Sequence, residues 1–327
     1  MTYCNYEDTD QNHIKTCKTC GKSVNTLVMA LTRTRCCQTL ITPKQTYQIA
    51  PYNGSCLGIN AVKPQDYTVS VVIPVLETVK PLKTVVDLLQ LQTIKPYIMI
   101  IDTGSTKNIE AIECLRCENV EVHYIRSHGW QHPSQPVSVA QDLAMAMCRT
   151  RFLFNTHADC FLKRRDLLED WVMLCEKHKI VGYQISPRSY NGWEKEFGHT
   201  ALMVDHHYCL QHNITWNMSK YAYDRNAVLK PNLYGPNCPD TESQFNASKG
   251  DVGLFIGDGE ENMKRNVNED FDHPRSYCCS SIYNSKYHEQ IAKEMDLAIK
   301  EAKERIKLWK QHVGGRVAFN RDVPILN

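Results

Sequence analysis

From residue 68 the apolar positions fall into alternating patterns. Val69-Ser70-Val71-Val72-Ile73-Pro74-Val75 is a β-branched run, the texture of a strand buried on both faces. Val85, Val86, Leu88, Leu89 and Leu91 follow at helical spacing, and Ile98-Met99-Ile100-Ile101 is a second buried strand running into Asp102-Thr103-Gly104-Ser105. Strand, helix and strand in such quick succession form a βαβ unit, whose crossover is right-handed, so a mainly parallel sheet is expected. The alternation continues with a strand over 120–125, a helix over 137–148, a strand over 151–155 and a helix over 165–178. Beyond these, Gly, Pro, Asn and aromatic residues become frequent, the composition of a loop-rich half that shapes a binding site. The last pattern, Tyr287 to His312, sets Ile291, Met295, Leu297, Ala298, Ile306 and Leu308 among many Lys and Glu, which predicts a long amphipathic helix packed on the body.

Composition narrows the class. With 327 residues, 42% hydrophobic and 23% charged, the chain suits one large or two modest globular domains and excludes wholesale disorder. Its formal charge of +2 argues against a protein that holds nucleic acid by bulk electrostatics. The charge is unevenly spread, however. Between Gln11 and Gln65 there is no Asp or Glu, while Lys15, Lys18, Lys22, Arg33, Arg35, Lys44 and Lys63 all fall there. This predicts three pieces: a basic cysteine-rich module over 1–66, a body over 67–280, and a terminal helix and tail over 281–327. The basic module either contacts phosphates or is the solvated surface of a docking piece; Tyr47 and Tyr52 are too few aromatics for a single-strand stacking platform. Met1 to Asp10 has three acidic residues and no apolar core, unlike a secretory signal, and the longest apolar stretch is strand-sized rather than membrane-spanning. A cytoplasmic location with reduced cysteines is the expectation.

Under that expectation the 15 cysteines divide by spacing. Cys17-Lys18-Thr19-Cys20-Gly21 has the two-residue gap that lets both sulfurs reach one ion, with a glycine for the reverse turn. Cys36-Cys37 follows after 15 intervening residues with no spacer of its own, so Cys17, Cys20, Cys36 and Cys37 are the candidate ligands of a structural zinc. His13, Cys4 and Cys56 stand as alternatives for one of them, and free buried thiols or a redox pair are the other reading. A four-ligand zinc site leaves no open position for substrate, so its role would be folding. Cys114 and Cys117 share the spacing but lack a partner pair nearby, and the remaining cysteines are scattered.

The body carries a series of motifs. Ser70 to Val75, a helix, and then Ile100-Ile101-Asp102-Thr103-Gly104-Ser105-Thr106 resemble the opening of the family 2 glycosyltransferases, whose first strand ends in I-P-x-Y/L and whose second ends in D-D/T-G-S. Phe152 to Leu162 is similar to the segment bearing the family's D-x-D motif in its wider form L-x-x-D-A-D-x-x-L, with His157 standing where the first Asp would be and Asp159 at the last position. Phe197-Gly198-His199-Thr200-Ala201-Leu202-Met203 resembles its G-G/H-T-A-L-M stretch, and Pro239-Asp240-Thr241-Glu242 its E-D-T-E/D segment, with proline replacing the first acid. The resemblance spans about residues 68–277 and leaves the cysteine module and terminal helix outside.

It implies a GT-A-like α/β fold, a mainly parallel sheet flanked by helices, with the zinc-knuckle module in front and the amphipathic helix behind. It also implies an inverting transfer of sugar from a nucleotide-diphosphate donor, a UDP-sugar by preference, to an acceptor hydroxyl. Pro74, Glu77, Asp102, His157 and Arg275 would line the nucleotide-sugar site, and His199 and Thr200 the acceptor side. Asp159, with His273 as a further ligand, would hold a divalent ion, Mn²⁺ or Mg²⁺, with Mn²⁺ favoured because an imidazole stands beside the carboxylate. Asp240 would be the base, with Glu242 as runner-up. A carbohydrate, lipid or protein acceptor is favoured over nucleic acid.

Two rivals belong to other classes. A non-catalytic nucleotide-sugar-fold protein, recruited to nucleic acid or protein by the zinc module, accounts for His157 and Pro239 but not for the retention of Asp102, Asp159 and Asp240. A nucleotidyltransferase would carry a Gly- and Arg-rich loop after the first strand, where Leu76-Glu77-Thr78 stands instead.

Overall fold

All seven residues of Val69–Val75 are buried, as the β-branched run requires. This strand is the centre of the computed structural model, which describes residues 67–105, 107–126, 134–185, 196–212, 214, 216, 245, 250–258, 265–274 and 288–313, plus six short strands within the first 50 residues. The first three of these, β1 (Tyr6–Asp8), β2 (Ile14–Cys17) and β3 (Ser23–Asn25), form an antiparallel sheet. β4 (Arg35–Cys36) and β5 (Thr39–Leu40) form a two-stranded ladder. β6 (Gln48–Ile49) joins the main sheet as its edge strand.

The main sheet has eight strands. β7 (Val69–Val75), β8 (Tyr97–Asp102) and β9 (Val120–Arg126) run parallel in that order, and β10 (Phe152–Thr156) pairs in parallel on the other side of β7. β13 (Glu196–Asp205) lies antiparallel between β10 and β12 (Ile180–Ile185), and β14 (Gly253–Asp258) completes the far edge parallel to β12. The parallel sheet expected from the βαβ pattern is therefore present, with β13 and β6 as its antiparallel members. β7 tolerates Pro74 because β10 pairs no farther than Val72, so the missing N–H costs that ladder nothing. Gly182 on β12 is needed for close approach, since a Cβ there would stand 2.6 Å from the Leu202 side chain.

Helices cover both faces. On one, α1 (Leu82–Gln90), α2 (Ile109–Glu113) and α4 (Leu167–Lys177) pack on Val71, Ile73, Ile98, Ile100 and Phe154. On the other, α3 (Ser134–Met147) presses Val139, Ala140, Leu143 and Ala144 against Val72, Met99, Ile101 and Leu153, with α5 (His206–Gln211) nearby. Each fully buried aliphatic side chain is worth about 1.5–3 kcal/mol of transfer free energy. Cys114 caps the end of α2 and Cys117 lies beyond it in a bridge to Val120, so the two thiols do not share a helix.

The terminal helix α6 (His288–Val313) adds Met295, Ala298, Ile299, Ala302 and Ile306 to the first face, while Leu297 and Leu308 are exposed. The buried stripe is thus displaced from the one read in the sequence, with Ile299 and Ala302 in place of those two leucines. A small antiparallel sheet, β11 (Phe161–Leu162), β16 (Phe271–His273) and β15 (Asn266–Val267), sits beside the main one. Arg305 of α6 donates to the Leu162 carbonyl of this sheet at 3.0 Å.

Candidate active site

The chain order creates a switch point. After β9 the chain returns through α3 to the opposite side of β7, so the connections leave β8 and β10 in different directions, which opens a crevice at the carboxyl ends of the strands. Glu77 follows β7 at this edge, Asp102 ends β8, and His157 and Asp159 follow β10. Two strand spacings separate β8 from β10, about 10 Å, comparable to the reach of a nucleoside diphosphate from base to phosphates.

Asp102, Ser105 and Glu77 form one connected unit. Ser105 Oγ donates to Asp102 Oδ1 at 2.6 Å, the Ser105 N–H donates to the same oxygen at 3.1 Å, and the Glu77 N–H donates to Ser105 Oγ at 2.6 Å. Asp102 is therefore the acceptor of its own turn. Gly104, at φ 124, supplies the backbone conformation that closes that turn. Burial raises the Asp102 pKa above the ordinary carboxylate range, with the Ser105 hydrogen bonds opposing the rise. Glu77 sits at φ 55, a strained conformation for a non-glycine residue. It is held there by Asn108 Nδ2, which donates to its carbonyl at 3.1 Å and its carboxylate at 3.2 Å.

The second cluster lies at the end of β10. His157, Asp159 and His273 place one ligand atom each within 4.8 Å of one another. His273 Nε2 is 3.3 Å from Asp159 Oδ1, and the two imidazoles meet edge to face with centroids 5.5 Å apart. Asp159 and His273 are buried and His157 is partly exposed. Ligand bonds of about 2.0–2.2 Å to one centre put neighbouring donor atoms about 2.8–3.6 Å apart, the range in which the His273–Asp159 contact falls, so a cluster of these donor types suits a divalent cation. His157, assigned by resemblance to the nucleotide-sugar pocket, thus belongs in space with the two candidate metal ligands.

His273 comes from a stretch whose sequence is polar and charged, yet Asp270, Asp272 and His273 are each 2% exposed. Partners explain this burial. Asp270 accepts from Arg164 Nη1 at 3.0 Å, Tyr183 OH at 2.8 Å and Trp171 Nε1 at 3.2 Å. Asp272 accepts from Arg265 Nε at 2.9 Å, and Arg265 reaches Glu301 of α6 at 2.9 Å. These supporting residues escaped the sequence reading because no local spacing links them.

β13 runs antiparallel to β10 with Ala201 opposite Thr156, which brings Thr200 and the backbone of His199 to the same carboxyl edge. Thr200 is buried. Asp240, Glu242, Arg275, Cys20 and Cys37 lie outside the described residues, as do the side chains of His199, Cys17 and Cys36.

No protein-family model matches the chain, and no curated protein does. Among solved structures, the chain is similar to the mannosyltransferase PcManGT of Pyrobaculum calidifontis in complex with GDP-Man and Mn²⁺, at 12% identity and TM-score 0.43, over 81% of this chain and 80% of that one. It is also similar to S. aureus TarS 1-349 in complex with UDP-GlcNAc, at 10% identity and TM-score 0.44, over 74% and 71%. A third likeness is to the galactosyltransferase LgtC in complex with donor and acceptor sugar analogues, at 9% identity and TM-score 0.43, over 72% and 99%.

Proposed function

We infer that this protein is a glycosyltransferase that moves a sugar from a nucleotide-diphosphate donor to an acceptor hydroxyl, with inversion at the anomeric carbon. The observation that carries the reading is the convergence on one sheet edge of the Asp102–Ser105–Glu77 unit and the His157–Asp159–His273 cluster, about a nucleotide's length apart. An Asp at the end of β8 and a ligand set after β10 suit a base at one end and phosphates at the other.

In this reading Asp102 and Glu77, with Pro74, border the nucleobase and ribose. Asp159 and His273 hold the divalent ion, which when bound supplies Lewis acidity against charge on the leaving diphosphate. Arg275 contacts the diphosphate. Thr200 and His199 line the acceptor side, and Asp240 takes the proton of the attacking hydroxyl, Glu242 being the second candidate. Such base catalysis contributes about 10²–10⁴-fold. Zinc on Cys17, Cys20, Cys36 and Cys37 holds the N-terminal module.

The test is a panel of UDP-, GDP- and dTDP-sugars with Mn²⁺, with and without candidate acceptors. Hydrolysis or transfer with one donor is expected, a UDP-sugar first. Absence of both turnover and nucleotide binding across the panel overturns the reading in favour of a binding protein. Metal analysis of folded, metal-scrubbed protein tests the zinc, and chelation is expected to unfold the N-terminal module first.

A further inference from the structure

We propose that the outward face of α6 is a docking surface for an anionic lipid bilayer, and that it holds the carboxyl edge of the sheet next to the membrane.

The two faces of α6 differ in kind. Met295, Ala298, Ile299, Ala302 and Ile306 enter the core. Lys293, Lys300 and Lys307 recur every seven residues, about two turns apart, so they form one stripe on the opposite side, flanked by Lys303 and Lys310. All five lysines are exposed, and none has an acidic partner among the described residues. The acids of the helix are disposed otherwise. Asp296 is paired with Lys80, and Glu301 with Arg265 at 2.9 Å, so cations of the body neutralise both. Glu294 is half-buried and accepts from Gln290 at 3.2 Å. Glu289 and Glu304 are the exposed acids left over, two against five lysines. The face is therefore cationic along about 25 Å of helix, although the whole chain carries only +2.

Leu297 and Leu308 stand among these lysines, 46% and 38% exposed. That mixture selects the partner. Lysines are attracted to lipid phosphates, and a leucine beside them gains by entering the acyl boundary, whereas a nucleic-acid backbone gives the leucines nothing apolar to bury against. The helix's one aromatic, Trp309, packs on the core rather than offering a ring for base stacking.

Two ties place this face beside the candidate site. Lys80, which holds Asp296, follows Glu77 by three residues. Arg305 donates to the carbonyl of Leu162, three residues beyond Asp159. The helix thus runs next to the segments that leave β7 and β10 at the carboxyl edge. The surface stands without the sugar-transfer reading; its consequence, an acceptor presented at a bilayer, rests on that reading.

The experiment is vesicle flotation of the full-length protein at about 0.1 M salt, with phosphatidylcholine alone or with about one-third phosphatidylglycerol. The protein is expected to float with the anionic vesicles, to stay behind with the neutral ones, and to be released at about 0.5 M salt. The triple variant Lys293→Gln, Lys300→Gln, Lys307→Gln is expected to weaken binding on the order of a hundredfold. Leu297→Ser with Leu308→Ser is expected to weaken it several-fold. Circular dichroism is expected to stay unchanged in both, because all five side chains are exposed. A control of equal charge change at the amino edge, Lys95→Gln, Arg149→Gln, Lys177→Gln, is expected to bind like the wild type. No flotation, equal flotation with neutral vesicles, undiminished binding by the lysine variant, or an equal loss in the control overturns the proposal. Undiminished vesicle binding together with lost oligonucleotide affinity in the lysine variant would reassign the face to nucleic acid. Flotation without donor turnover leaves the surface standing and removes the acceptor consequence; turnover without flotation leaves the enzyme standing and removes the surface.

Discussion

Asp159 and His273 meet at 3.3 Å across the junction of the main sheet and the small one, both buried. The antiparallel pairing of Phe161 with Asp272 sets this contact, because it carries His273 back alongside the end of β10. Asp159→Ala removes the one carboxylate of the cluster. Calorimetric titration of this variant with UDP and Mn²⁺ is expected to show loss of the metal-dependent part of binding; unchanged binding would sink the metal assignment.

Asp270 organises the support beneath that contact. Asp270→Ala leaves the Trp171 indole N–H, the Tyr183 hydroxyl and Arg164 without their common acceptor. Breaking such a buried pair costs about 3–5 kcal/mol, and the partly exposed Arg164 argues for the lower end. Urea unfolding measures the loss. Mn²⁺ affinity is expected to fall in parallel, because β16 carries both Asp270's neighbour Phe271 and the ligand His273.

Ser105 joins the Asp102 carboxylate to the backbone N–H of Glu77. Ser105→Ala deletes the hydroxyl that donates to Asp102 and accepts from the Glu77 N–H. Nucleotide affinity is expected to drop about tenfold, the equivalent of about 1.4 kcal/mol, while Mn²⁺ binding without nucleotide stays unchanged. Equal loss of both would mean that the two clusters are not independent.

Asp142 predicts a pH dependence of stability. It is fully buried on α3, where its Oδ1 accepts from the Trp216 N–H at 2.7 Å, and burial pushes its pKa up to about 7 despite that bond. The folded chain therefore keeps this proton to higher pH than the unfolded chain, which releases it near 3.8. The associated stability is complete below about pH 4, declines between pH 4 and 7, and is lost above that, a span on the order of 4 kcal/mol. Asp142→Asn keeps an acceptor for Trp216 but cannot ionise. The difference in urea-unfolding free energy between the two proteins is expected to shift in favour of the variant from pH 5 to pH 8; a constant difference contradicts the assignment.

Asp240→Asn tests the proposed base. Transfer is expected to fall by about 10²–10⁴-fold with donor binding nearly intact. If kcat survives, Glu242→Gln is the variant to compare.

Much of this architecture is legible locally. Val69–Val75 has the bounds its β-branched residues imply, and β8, α3, β10 and α4 fall within a residue or three of their apolar patterns, because burial on one or both faces imposes a period that short windows reveal. The motif residues Asp102, His157 and Asp159 were also visible, since a parallel strand delivers whatever follows it to the sheet's carboxyl edge. His273 was identifiable only as a candidate in a charged run, and its burial was not legible. The compensating groups, Arg164, Trp171, Tyr183 and Arg265, come from β12, β15's approach and the region around α4, and nothing in their spacing announces a common destination.

The alternation of strands and helices, the sheet edge at which the motif residues collect and the residue types there are all written in the local pattern. That His157 joins Asp159 and His273, that Ser105 links Asp102 to Glu77, and that a charged strand lies buried came from strand order and pairing. The difference lies in the range of the interactions. Periodic burial is written into neighbouring residues, whereas a shared cation site or a buried ion pair depends on groups brought together by strand order and register.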